Sequence, residues 1–192
     1  AGAVQPGDED DYFQSSLFTI ARRRILWLLI LVLANGLTTK VIAMNDQILK
    51  EIVLLAAFIP LLIGTGGNVG AQSSTVVIRG LSTQKLKSLG AIKAVLKEAI
   101  TGALLGVLMM LVVFPFAWWQ GEGPLIASAV GISLISITTL AATAGAILPL
   151  LFDRMRLDPA LMSSPFITTV TDIAGVFIYL STAKWLLSSS LV

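Results

Sequence analysis

The sequence predicts an all-α membrane protein, and three observations carry that prediction. Hydrophobic residues make up 56% of the 192-residue chain, charged residues only 12%, and the mean hydropathy is +0.89. Soluble domains carry roughly 25% charged residues, so a water-soluble globule is excluded. The charges are also clustered, which leaves five long apolar stretches. A helix needs about 20 such residues to cross a hydrocarbon core about 30 Å thick. Finally, these stretches are continuously apolar and lack the alternation over about ten residues that barrel strands show.

The elements follow in order. Residues 1–16 form a polar tail with Asp8, Glu9, Asp10 and Asp11. The tail is expected to be flexible. It is not a secretory signal, which would place basic residues before a short apolar run. A chain that opens Ala1-Gly2-Ala3 is expected to be cut from a longer protein or processed at its start. Ser15 to Arg24 reads as a short amphipathic helix with Leu17, Phe18 and Ile20 on its apolar side. Residues 17–192 then form the membrane domain. Its expected spans are 25–43, 48–78, 92–119, 124–152 and 161–187. Trp27, Trp118, Trp119 and Trp185 suit the membrane–water interface.

Lys and Arg set the orientation. Arg22, Arg23, Arg24, Arg79, Lys85, Lys87, Lys93, Lys97, Arg154 and Arg156 fall on one side. Lys40, Lys50 and Lys184 fall on the other, which accounts for all 13. The first side is expected to be cytoplasmic in a cell inner (plasma) membrane, with the N-terminus inside and the C-terminus outside. An odd number of spans cannot divide into two equal inverted halves. Pore symmetry must then come from a second copy, so a homodimer is expected.

Composition also removes whole classes of chemistry. The chain has no Cys and no His. Disulfides, thiolate sites, most zinc sites and Ser-His-Asp triads are therefore excluded. A net charge of +2 argues against a nucleic-acid partner.

One acidic residue, Asp172, lies deep within an apolar span. Burying a carboxylate there costs at least ~2.5–3.5 kcal/mol. Two explanations offset that cost: a cation pathway, or a protonated carboxyl hydrogen-bonded between helices. No enzyme is expected, because no second acid, base or nucleophile lies at matching depth. Ser164, Thr168 and Asp172 share one helix face, Gly175 extends it, and Thr169 and Thr171 flank it. Pro165 removes one backbone donor in this row. The row reads either as a polar lining or as a face that hydrogen-bonds across helices.

The second unusual stretch is PLLIGTGGNVGAQ, Pro60 to Gln72. Its glycines are poor helix formers and suit backbone that lines a cavity or is buried in protein. Gly64, Gly66, Gly67 and Asn68 are the candidate lining residues. Gly66 and Gly70, like Gly102 and Gly106, also have the spacing for close helix packing. No GK[ST] ending follows, so this is not a nucleotide loop. Asp158 before Pro159 reads as a helix cap, or with Glu98 as an inner-side cation site.

The run GGNVGAQ followed by SSTVVIRGL, together with LDPALMSSPFITTVTDIAGVFIYL, resembles the MgtE family of magnesium channels and transporters. The resemblance covers residues 12 to 188. It implies Mg²⁺ uptake through a pore on a homodimer axis lined by the second and fifth spans. Mn²⁺ and Co²⁺ are further candidate ions. Asp172 matches the family's pore aspartate and Asn68 a pore-lining asparagine. Thr168 falls where the family uses a backbone carbonyl toward ion-bound water. Ser164 stands where some members have asparagine. The resemblance also implies a cytosolic N-domain and CBS domains that this chain lacks. A proton- or sodium-coupled transporter and a non-transporting membrane assembly subunit are the alternative functions.

Overall fold

The computed structural model describes residues 16–83 and 90–188. Among these residues every regular element is helical. Helix α1 is Leu17–Ala43, α2 Asp46–Glu51, α3 Leu54–Ser82 and α4 Ala91–Ala117. A π-helical turn, Trp118–Glu122, leads into α5, Gly123–Arg154, and α6 is Pro159–Ser188. Lys85, Lys87 and the acidic tail lie outside the described residues.

Four described helices are long and apolar enough to cross a membrane: Leu54–Ser82, Ala91–Gln120, Gly123–Arg154 and Pro165–Ser188. At 1.5 Å per residue, helices of 29 and 32 residues reach about 44 and 48 Å, beyond a hydrocarbon core of about 30 Å. The first helix carries a shorter apolar stretch, Leu28–Ala43.

Two boundaries differ from expectation. The amphipathic segment before the first span is not a separate helix, because α1 runs unbroken through Arg22–Arg24. No glycine or proline lies there to end a helix. The second span starts at Leu54, not Ile48, because the short helix α2 comes first. Asp46 and Lys50 pair across one turn of α2 and Gln47 donates to Glu51, while Ile48 is buried. One polar face and one buried residue suit a helix lying at the bundle end.

Helix α5 is the hub and packs against α3, α4 and α6. Helix α3 also meets α6, and α1 rests on α6. Toward the end that carries Lys40, Lys50 and Lys184, the core is built from bulk. There Leu55, Phe58, Leu62, Val130, Leu134, Tyr179 and Leu180 form one cluster. The opposite half packs by backbone proximity. A Cβ on Gly70 would sit 2.5 Å from Ile167 Cγ2 and 3.2 Å from the Ala141 carbonyl oxygen. A Cβ on Gly102 would sit 2.5 Å from the Thr138 oxygen and 2.6 Å from Ala142 Cβ. Both GxxxG pairs thus serve as packing faces, as their spacing predicts.

The glycine-rich stretch is continuous α-helix, not irregular backbone. Close contact with α5 and α6 offsets the propensity cost on one side. The small polar residues of α5 follow a similar economy. Hydroxyls of Ser136, Thr138, Thr139 and Thr143 each donate to a carbonyl one turn back in their own helix. Many large apolar side chains outside the core are exposed, among them Leu33, Leu104, Leu111, Val112 and Phe177. In hydrocarbon such a surface carries no hydrophobic cost.

Candidate cation pathway

Helix α6 places Asp172 in mid-span, half-buried. Its Oδ1 is fully enclosed by this chain and has no hydrogen-bond partner. Its other oxygen is not among the enclosed orphan atoms, so that oxygen reaches the helix surface. No basic residue pairs with this carboxylate among the described residues. The carboxyl group is therefore neither turned wholly to the outside nor, among the described residues, paired with a base inside the subunit.

The rest of the polar row divides by burial. Thr168 is exposed one turn before Asp172. Thr171 is fully buried, and its hydroxyl donates to the Ile167 and Thr168 carbonyls at 2.9 Å each. Gly175 is buried against Ile137, with room for a Cβ at 3.7 Å. Thr169 faces a small cavity of about 60 Å³ with Ile30, Leu31 and Ala34 of α1. The side chain of Ser164 lies outside the described set, although its backbone is helical. Pro165, within α6, leaves the Leu161 carbonyl without its usual helical donor.

Helix α3 runs beside α6, and two contacts set the register. Gly70 lies against Ile167, and Gly66 against Thr171. The helices are thus antiparallel, with Asn68 level with Thr168 and Gly64 close to the level of Asp172. On α3 the residues Pro60, Gly64, Asn68, Ala71 and Thr75 are exposed. A Cβ on Gly64 or Gly67 would meet nothing within 4 Å. One face of α3 is therefore packed and the other open, and Gly66 belongs to the packed one. Of the sequence-derived residues, Asn68, Gly64, Gly67, Thr168 and Asp172 come together in depth on accessible surface. Gly66, Thr171 and Gly175 lie within the packed subunit, where their contacts are with neighbouring helices.

The Asp158 carboxylate accepts from the Ala160 N–H at 2.8 Å, which makes it the N-cap of α6. Glu98 is half-buried on α4. Among the described residues no group of three or more acidic, His or Cys side chains is placed to hold a metal ion.

Among the buried polar residues that escaped the sequence reading are Tyr179 and Thr38. Tyr179 is fully buried, and its hydroxyl has no partner. It stands two turns beyond Asp172, where the row of α6 enters the bulky core. Thr38 on α1 is 8% exposed, and its hydroxyl too is enclosed and unpartnered. Neither stands out in a sequence, because an aromatic or a threonine near a span end is ordinary.

A family model described as MgtE, divalent cation transporter, matches residues 59–182. That stretch contains both the open face of α3 and Asp172. This chain belongs to the MgtE family. The magnesium transporter MgtE of Thermus thermophilus is 39% identical over 166 residues, which is 86% of this chain and 37% of that protein. The Bacillus subtilis magnesium transporter MgtE is 32% identical over 176 residues, covering 91% of this chain and 39% of that protein. The Enterococcus faecalis protein of the same name is 35% identical over 168 residues, covering 85% and 36%. The chain thus spans a little over a third of the length of these MgtE relatives.

Proposed function

We propose that this chain forms the ion-conducting membrane part of a magnesium transport protein. The observation that carries the reading is the Asp172 carboxylate, which has no cation partner among the described residues and keeps one oxygen at the helix surface. Membership of a divalent cation transporter family supports it, as do relatives named as magnesium transporters.

In this reading α1 is a fifth span, with the N-terminus cytoplasmic and the C-terminus outside. Ten of 13 basic residues at one end favour that orientation. Two copies meet around an axis along the membrane normal. Asp172 of each copy then offers two negative charges to one dication. Mg²⁺ sheds its water reluctantly and prefers an octahedral oxygen shell. The protein need not supply six ligands: carboxylate oxygens, the Asn68 amide and carbonyls near Thr168, Gly64 and Gly67 would hold the hydrated ion. Holding an intact water shell favours an ion by its hydrated size and keeps binding weak enough for release. The inside-negative potential contributes ~2.3 kcal/mol per charge per 100 mV, and so twice that for a dication. The whole transporter includes the length that its relatives have beyond this part, and cytosolic domains there are proposed to gate it.

The test is Mg²⁺ flux into proteoliposomes with wild type, Asp172→Ala and Asp172→Asn, with Mn²⁺, Co²⁺ and Ca²⁺ as competitors. Loss of flux and altered competition in both variants support the pathway. Unchanged flux and competition in both remove Asp172 from it. A strict requirement for an opposing proton or sodium gradient would replace the channel with a coupled transporter.

A further inference from the structure

The Asp172 oxygen that faces inward needs a donor, and the fold limits where one can come from. Oδ1 is enclosed by this chain alone, so neither bulk water nor a second copy reaches it. A buried acceptor left without a hydrogen bond costs about 1–3 kcal/mol, more when charged. On α6 itself, the Thr171 hydroxyl is committed to two carbonyls. The Tyr179 hydroxyl, on the same face seven residues further on, is also unpartnered, and its ring belongs to the bulky core cluster.

Helix α1 offers an unpartnered donor from a neighbouring element. Two contact regions set its register on α6. Ile30, Leu31 and Ala34 share a cavity with Pro165, Phe166 and Thr169. Beyond the end of α1, Gln47, Ile48 and Glu51 share a groove with Lys184, Trp185 and Ser188. Helices α1 and α6 therefore run side by side in the same direction, in near-constant register. Between these anchors, Thr38 lies one turn past Ala34, and Asp172 lies just under one turn past Thr169. Thr38 shares the α1 face of Leu31 and Ala34, and Asp172 follows the α6 positions Pro165 and Thr169 at helical spacing. The Thr38 hydroxyl is itself enclosed and without a partner, while neighbouring Thr39 donates to the Asn35 carbonyl. An orphan donor and an orphan acceptor thus stand at one depth on touching helices.

We propose that Thr38 is a positioning residue for the ion path: a side-chain rotation brings its hydroxyl to Asp172 Oδ1, to which it donates. This holds the carboxylate in the rotamer that presents the other oxygen to the ion. The inference rests on the reading of Asp172 as the ion-attracting group and adds the element that orients it.

The experiment measures half-saturating Mg²⁺ and maximal flux for the full transporter in proteoliposomes. The variants are Thr38→Val, Thr38→Ala, Thr38→Ser, Asp172→Asn and the Thr38→Val/Asp172→Asn double. Removing the hydroxyl with either Val or Ala raises half-saturating Mg²⁺ about tenfold, the effect of one hydrogen bond to a charged group. Thr38→Ser stays within about twofold of wild type, because the donor returns and the methyl does not matter. With Asp172 already Asn, Thr38→Val has a smaller further effect, about threefold or less, because a hydrogen bond to a neutral amide oxygen is worth less than one to a carboxylate. Equal impairment of the Ser and Val variants, full additivity, or wild-type behaviour of both Val and Ala overturns the assignment. If Asp172→Asn alone is without effect, the ion-path reading itself fails. If it impairs transport while the hydroxyl-free variants do not, only the role of Thr38 fails.

Discussion

A carboxylate in hydrocarbon is tolerable only where each of its oxygens has an occupation. Asp172 has one oxygen enclosed and one at the surface, so a single side chain faces both the protein interior and the proposed path. Replacing it with Asn keeps size and removes charge. Mg²⁺ flux in proteoliposomes should fall about tenfold or more, since each charge at close range is worth several kcal/mol away from bulk water. Asp158 is the opposite case. Its carboxylate caps α6, so Asp158→Ala should lower thermal stability in detergent by about 0.5–2 kcal/mol. Flux per folded protein should stay unchanged. A fall in flux at wild-type stability would restore Asp158 to an inner-side cation site.

At the scale of the element, α3 carries two kinds of glycine on one helix. Gly70 touches α5 and α6, whereas Gly64 and Gly67 face open space. Gly102→Val or Gly70→Val should destabilise the bundle by about 1–3 kcal/mol through forced separation of helices, read as a lower melting temperature in detergent. Gly64→Ala and Gly67→Ala should leave the subunit as stable or up to about 1 kcal/mol more stable, because Ala is the better helix former. The same two changes should reduce flux, because they narrow the proposed lining. Loss of stability at Gly64 together with normal flux would show that this face packs within the subunit. The spacing of these glycines was visible in the sequence. Which of them pack was not, because that depends on which side of α3 meets α5. Likewise the Ser164–Gly175 row could be read as one face, but its division into exposed Thr168 and buried Thr171 and Gly175 depends on neighbouring helices.

For the whole molecule, the accessible residues on α3 and α6 predict how the two copies of the proposed homodimer meet. The chain has no native cysteine, so single-cysteine variants report contacts cleanly. Thr168→Cys or Asn68→Cys should cross-link two copies under mild oxidation. Leu104→Cys or Val112→Cys on the outward side of α4 should not. The reverse pattern would move the two-fold axis to α4 and take Asp172 off it. Span number is tested in the same background. Leu17→Cys should label only from the basic side, proposed to be cytoplasmic, and Ser188→Cys only from the other; labelling of both from one side would mean an even number of spans.

Membrane residence, helical class, four long apolar helices and the isolated Asp172 were legible in the sequence alone. Apolar length and the cost of a buried charge are local properties that composition and spacing carry directly. The separate helix α2 and the burial of Tyr179 and Thr38 were decided only when the helices packed. Depth and facing between α1 and α6 arise from contacts more than a hundred residues apart, and no periodicity within either helix encodes them.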